Sequence, residues 1–156
     1  MTIRSIATLV FFVGASLSAG LLGMAFMGDS LQTWYPLLEK PFWNPPNWVF
    51  GPVWTTLYVL MGTAAFLVSR SKRLGKTLVL WLFLAHLLVN AFWSIAFFSL
   101  QEVLLAFIVI LLLIALIATL IRLFSMHSRL AAWLLVPYLL WTLYASSLNL
   151  AILVLN

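Results

Sequence analysis

The chain of 156 residues contains no cysteine and only three acidic residues, Asp29, Glu39 and Glu102. The absence of cysteine excludes disulfides, thiolate metal ligands and thiol nucleophiles. With three carboxylates, all in expected loops, no nucleophile–base pair can be placed and no carboxylate metal cluster can be built. Histidine is equally sparse, at His86 and His127. A haem held by His86 would be five-coordinate at most, and His127 lies in a loop on one membrane face, out of reach. No metal site and no cofactor are therefore expected.

Charge itself is scarce. Charged residues make up 7% of the chain, against 65% hydrophobic. A soluble domain of this size has no use for so much apolar surface, so the chain reads as a polytopic membrane protein. The net charge of +5 rests on eight basic residues scattered through short loops. Basic residues so placed set topology rather than bind nucleic acid.

Five apolar runs stand out, at about 5–27, 45–69, 77–100, 103–124 and 130–153. Each is close to the ~20 residues that a transmembrane helix needs. The expected fold is all-α: one five-helix transmembrane domain over 1–156, with a tryptophan- and proline-rich loop at 28–44. The first run also admits a signal-peptide reading, since Arg4, an apolar stretch and "ASLSAG" would place cleavage after Ala19. Against it, the run continues through Leu21, Leu22 and Phe26 to a full span. Ala15, Ala19 and Gly23 recur every fourth residue, which suits close helix packing.

With five spans, Arg4, Arg70, Lys72, Arg73, Lys76, Arg122 and Arg129 share one side, and Lys40 and all three acids lie on the other. This asymmetry places the N-terminus in the cytoplasm. No internal repeat is visible, and an odd number of spans does not suit a simple inverted-repeat transporter. No span centre carries a carboxylate or cation, which argues against ion pumping.

The stretch "WYPLLEKPFWNPPNWVFGPVW", residues 34–54, holds four of the eight tryptophans and five of the six prolines. Thr33 is expected to cap a short helix that begins with Trp34 and Tyr35 and includes Pro36. Pro41 ends it. Asn44 is expected as the N-cap of the second span, with Pro45 at its first helical position. Pro52 is expected to bend that span by removing the bond to Trp48. Trp34, Trp43 and Trp48 suit an interfacial aromatic belt, whereas Trp54 lies about two turns further in.

Helical spacing aligns three stripes: Trp54, Tyr58, Met61 and Ala65; His86, Asn90, Trp93 and Phe97; Tyr138, Trp141, Ala145 and Leu148. Such faces can line a flat apolar cavity for an amphipathic ligand, or they can simply pack together. Asn90 is the residue most suited to touch a ligand's polar group, whereas His86 suits a helix–helix hydrogen bond. The fourth span, "VLLAFIVILLLIALIATLIRLF", reads as lipid-facing support.

Three segments, "TWYPLLEKPFWNPPNWVFGPVWTTLY", "LLVNAFWSIAFF" and "VPYLLWTLYASSLN", resemble the translocator protein family (TspO/MBR), also called tryptophan-rich sensory proteins or peripheral benzodiazepine receptors. The likeness covers nearly the whole chain in motif order and spacing. It implies a five-helix bundle, often a homodimer in lipid. Members bind porphyrins, and eukaryotic members also bind cholesterol and benzodiazepine-type ligands, in a pocket beneath the first loop. Tyr35, Trp54, Tyr58, Asn90, Trp93, Trp141 and Ala145 match the family's pocket positions. Some relatives are implicated in light- and oxygen-dependent porphyrin breakdown, for which Trp54 and Trp141 match the two tryptophans.

One departure stands out. Eukaryotic members end the fifth span with a cholesterol pattern that needs a tyrosine followed by a basic residue, and "SSLNLAILVLN" has neither. The formal match at Leu31, Tyr35 and Lys40 arises readily by chance. The short tails suit a bacterial plasma-membrane protein. Three readings stay open: a tetrapyrrole sensor or translocator, a porphyrin-degrading enzyme, and a structural protein whose aromatics only pack. The charge asymmetry generates a first test. A reporter fused at Asn156 should behave as external, and a cytoplasmic signal would overturn either the span count or the orientation.

Overall fold

The computed structural model describes residues 2–156. Helix α1 is Ile3–Met27, α2 Ser30–Thr33, α3 Phe50–Ser69, α4 Lys76–Ser94, α5 Val103–Ser125 and α6 Arg129–Leu155. Two 3-10 turns, Tyr35–Leu37 and Asn47–Val49, lie between α2 and α3, and a π-helical turn, Ile95–Ser99, extends α4. There is no strand among the described residues. Five segments of 23 to 27 residues are long and apolar enough to cross a membrane. At 1.5 Å per residue they are ~35–40 Å long. In hydrocarbon a helix satisfies its own backbone, so helix is the form these apolar runs must take.

The five long helices close into a ring in the order α1, α3, α6, α5, α4 and back to α1. Its two halves differ. At the end that carries the basic loops, Met61, Ala65, Val68, Phe83, Ile117, Phe124 and Leu135 fill the centre as one core. At the opposite end the buried hydrophobic cluster is smaller, with Tyr35, Ala96, Phe97, Ala106 and Ile152. Helix α5 buries one stripe, Ala106, Ile110, Leu113, Ile117 and Leu120, and exposes Leu104, Ile108, Leu111 and Leu112 on its other face.

Close approach of α1 to α3 depends on glycine. A Cβ on Gly62 would collide with the Val13 backbone and lie 2.7 Å from the Phe12 carbonyl oxygen. Gly20 in turn faces the Tyr58 ring, and Gly23 faces the Ser94 side chain. Between α3, α4 and α6 the tie is polar. The Tyr58 hydroxyl donates to Asn90 Oδ1 at 2.8 Å, and Asn90 Nδ2 donates to the Tyr138 hydroxyl at 2.9 Å. Asn90 is 2% exposed.

The loop departs from expectation at two points. Gly28, at φ 54°, ends α1, and the short helix follows at once with Asp29 at its N-cap position. Thr33 therefore closes α2, its hydroxyl donating to the Asp29 carbonyl at 3.0 Å, and Tyr35–Leu37 tightens into a 3-10 turn. Asn44 is not the cap of the second span. A proline pushes the residue before it toward extended backbone, so Pro45 before Pro46 cannot begin a helix. The span starts instead at Asn47 with a 3-10 turn, and the Asn44 side chain is engaged elsewhere. Pro52 is the third residue of α3, which continues directly from the 3-10 turn, so Trp48 lies four residues before it within the span. The interior proline is Pro137, in α6.

Two tests follow. Gly62→Ala sets a side chain against backbone that cannot swing aside, and should lower stability by about 1–3 kcal/mol. Gly14→Ala, with open space at its Cβ, should not. Equal melting temperatures for the two variants in detergent would remove Gly62 from the α1–α3 contact. Asn90→Leu leaves two buried tyrosine hydroxyls unpaired and should cost roughly 1–3 kcal/mol. Unchanged thermal stability would show that the bridge does not hold the bundle.

Candidate functional site

The hollow half of the ring contains a cavity of about 480 Å³, within the range of ordinary small-molecule sites. Its shape follows from two aromatic pairs on different helices. On α3 the Trp54 ring stacks on Tyr58, with centroids 5.6 Å apart and planes at 28°. On α4 and its extension Trp93 stacks on Phe97, at 5.6 Å and 24°. The π turn brings both Phe97 and Phe98 to the cavity wall, although they are neighbours in sequence. Such turns recur at functional sites because they re-aim side chains that a regular helix would turn away. Helix α1 supplies Gly20, Met24 and Met27, and α6 supplies Ala145, Leu148, Asn149 and Ile152.

The floor is the hydrogen-bonded bridge. Tyr58 lines the cavity with its ring, and its hydroxyl reaches down to Asn90. Below lies His86, wholly buried, with Nδ1 2.6 Å from the Phe83 carbonyl. A carbonyl can only accept, so Nδ1 carries the proton. His86 Nε2 has no partner.

The roof is the loop. Tyr35 is buried, its ring 6.3 Å from Phe97 and 5.8 Å from Phe98. Its hydroxyl donates to Asn44 Oδ1 at 3.0 Å. Burial pushes the Tyr35 phenol above its ordinary pKa, which outweighs the opposing effect of the Asn44 hydrogen bond. The phenol thus stays protonated and remains a donor across the physiological range. Lys40 sits over the Tyr35 ring, 4.7 Å from its centroid, and donates to the Leu38 carbonyl at 2.9 Å. The loop is tied to α6 at two further places. The Tyr144 hydroxyl donates to the Trp43 carbonyl at 2.7 Å. The Asn156 amide bonds both backbone groups of Glu39, at 3.0 and 3.1 Å.

Of the residues singled out from sequence, Tyr35, Trp54, Tyr58, Trp93 and Ala145 line this one cavity. Asn90 does not line it and instead holds Tyr58 and Tyr138 together beneath it. Trp141 does not line it either. Its ring lies 5.9 Å from Phe50, a lining residue, and 5.3 Å from Tyr144, beside a shallow apolar groove between α3 and α6. The Trp141 indole nitrogen is buried without a partner.

Sequence reasoning passed over Asn149. Its Oδ1 accepts from Trp93 Nε1 at 3.2 Å and its Nδ2 donates to the Val103 carbonyl at 3.0 Å, so it braces the Trp93 wall from α6 and the start of α5. The available signal was an amide within an otherwise apolar span. Among the described residues no group of three His, Cys, Asp or Glu side chains could hold a metal ion.

Comparison with known proteins agrees with this architecture. The TspO/MBR family profile matches residues 11–155. The tryptophan-rich protein TspO of Archaeoglobus fulgidus is 43% identical over 153 residues, covering 97% of this chain and 99% of its own. That of Chlorobaculum tepidum is 39% identical over 155 residues, covering 98% of each. The translocator protein of Homo sapiens is 38% identical over 133 residues, covering 82% of this chain and 78% of its own. With nearly all of the bundle and the whole lining of the cavity inside the matched region, the chain belongs to the TspO/MBR family.

Proposed function

We propose that the protein is a membrane sensor or translocator that binds porphyrins and similar flat amphipathic molecules in this cavity. The observation that carries the reading is the pair of stacked aromatic walls, Trp54 on Tyr58 and Trp93 on Phe97, facing one cavity. A conjugated macrocycle offers large flat faces, and aromatic side chains bind such faces by stacking and apolar burial. The walls are fixed in advance. Asn149 holds Trp93, and Asn90 holds Tyr58. Fixing them before binding lowers the ordering cost of taking up a rigid ligand. In the same reading the N-terminus is cytoplasmic and the roof external in a bacterial plasma membrane, a reading that the excess of basic residues in the opposite loops supports.

Breakdown of the porphyrin by two pocket tryptophans is the second reading. It is favoured by Trp54, whose ring lines the cavity, and disfavoured by Trp141, which stands behind Phe50.

The test uses purified protein titrated with protoporphyrin in the dark. Trp54→Phe should raise Kd by roughly 0.5–1.5 kcal/mol, about two- to tenfold. Trp141→Phe should have a smaller effect. Trp81→Phe, on the exposed face of α4, should have none. Identical behaviour of all three variants would mean that these tryptophans serve packing, and the cavity would lose its role.

A further inference from the structure

The end of the bundle opposite the cavity collects the positive charge of the chain. Helices α1, α4 and α6 start there, and α3 and α5 finish there, which brings Arg4, Arg70, Lys72, Arg73, Lys76, Arg122 and Arg129 together. All of them but Lys76 are exposed. Asp29, Glu39 and Glu102 lie at the other end, so no carboxylate offsets this charge. The partners these cations do have are neutral. Arg70 donates to the Ser5 hydroxyl at 3.2 Å, and Lys76 donates to the Ser69 and Ser71 carbonyls at 3.0 and 2.8 Å. The Arg73 guanidinium donates to the Met126 carbonyl, which ties the α3–α4 loop to the α5–α6 loop. His127 Nδ1 lies 3.3 Å from the Ser71 hydroxyl across the same junction. Arg73 is thereby held at the end of α5, where Arg122 stands one helical turn before Met126.

A topological role asks only that basic residues stand on one side of the membrane. Here their placement also has a shape. Leu104, Ile108, Leu111, Ala115, Ala118 and Arg122 are all exposed and step by three or four residues. One outward face of α5 is therefore apolar along its length and ends in a guanidinium. The helices that flank α5 carry exposed Leu78 and Trp81 on α4, and exposed Leu130 and Trp133 on α6, just inside the same end.

A cation above an apolar strip matches a phospholipid, with its phosphate at the cation and an acyl chain along the strip. Arginine grips a phosphate through two parallel hydrogen bonds. A zwitterionic head group brings an ammonium as well, and without a carboxylate nearby that ammonium meets only like charge. An anionic head group brings no such group, and basic clusters beside a membrane attract it.

We propose that the Arg73–Arg122 corner of the basic end is a docking surface for an anionic phospholipid. The phosphate seats on the two guanidinium groups, and one acyl chain lies on the outward face of α5. This surface is separate from the cavity and does not depend on what the cavity binds.

The experiment exposes the full chain in detergent to equal amounts of phosphatidylglycerol and phosphatidylcholine with the same acyl chains. Native mass spectrometry then counts the lipid retained. Phosphatidylglycerol should be retained in preference, and Arg122→Gln should cut that preference about fivefold. Lys40→Gln, at the opposite end, should leave it unchanged. In nanodiscs, phosphatidylglycerol should raise the melting temperature of the parent chain. Arg122→Gln should match the parent in phosphatidylcholine and lose that rise, which separates lost lipid from lost folding. Equal retention of the two lipids overturns the proposal, as does a preference that Arg122→Gln leaves intact or that Lys40→Gln lowers as much.

Discussion

Two hydrogen bonds, from Tyr58 to Asn90 and from Asn90 to Tyr138, hold the middle of the bundle. Between helices in lipid the hydrophobic effect gives little preference for one contact over another, because lipid tails are as apolar as leucine. Polar ties and close backbone contacts must supply the specificity. The Asn90 amide offers both a donor and an acceptor, so one side chain can satisfy a tyrosine on each side. It fixes α3, α4 and α6 at one depth. On one side of that level the helices pack solidly around Phe83, Ile117 and Leu135. On the other they spread, and the cavity occupies the space.

The loop completes what the bridge begins. Spread helices would expose the cavity unless something covered its end. The roof is stiff because prolines fix its backbone, and it is tied down by side chains from elsewhere in the chain. Tyr144 and Asn156, both on or at the end of α6, bond to Trp43 and Glu39. Tyr35 is at once part of the roof, a partner of Asn44 and a neighbour of Phe97. The roof and the wall are therefore one structure, and a change in α6 is felt above the cavity.

Much of this was legible in the sequence, for identifiable reasons. Spans in lipid announce themselves by length and composition, since no other backbone form is stable there. Residues on a stripe, such as Trp54 and Tyr58, can be assigned a common face because helical period is fixed. What each face meets cannot be assigned that way. Asn90 shares its stripe with Trp93, yet one turn of helix separates the bridge from the cavity wall. Trp141 shares a stripe with Ala145, yet its ring turns toward Phe50 and Tyr144. The loop failed for a different reason. Cap rules treat residues singly, whereas Asn44 is drawn to Tyr35 and Pro45 is constrained by the proline after it. Pro137 lies inside α6, and nothing around it in sequence marks a break.

The same bridge bears on how such a protein could move a ligand. A route through the centre of the ring would have to pass the Tyr58–Asn90–Tyr138 level. It would then have to cross a core in which Met61, Phe83, His86, Ile117 and Leu135 are fully buried. Opening that path would leave the two tyrosine hydroxyls and the Asn90 amide unpaired in a medium without water, at a cost of several kcal/mol for the three groups together. It would also undo the dense packing of the basic-end half. By contrast, Met24, Trp48 and Thr55 line the cavity and are themselves exposed at the α1–α3 side of the bundle. Uptake and release on that side break none of the bridge's bonds. The physical asymmetry of the fold, solid at one end and hollow at the other, thus leaves the cavity reachable from one end of the bundle and closed off from the other by the bridge and the core beneath it.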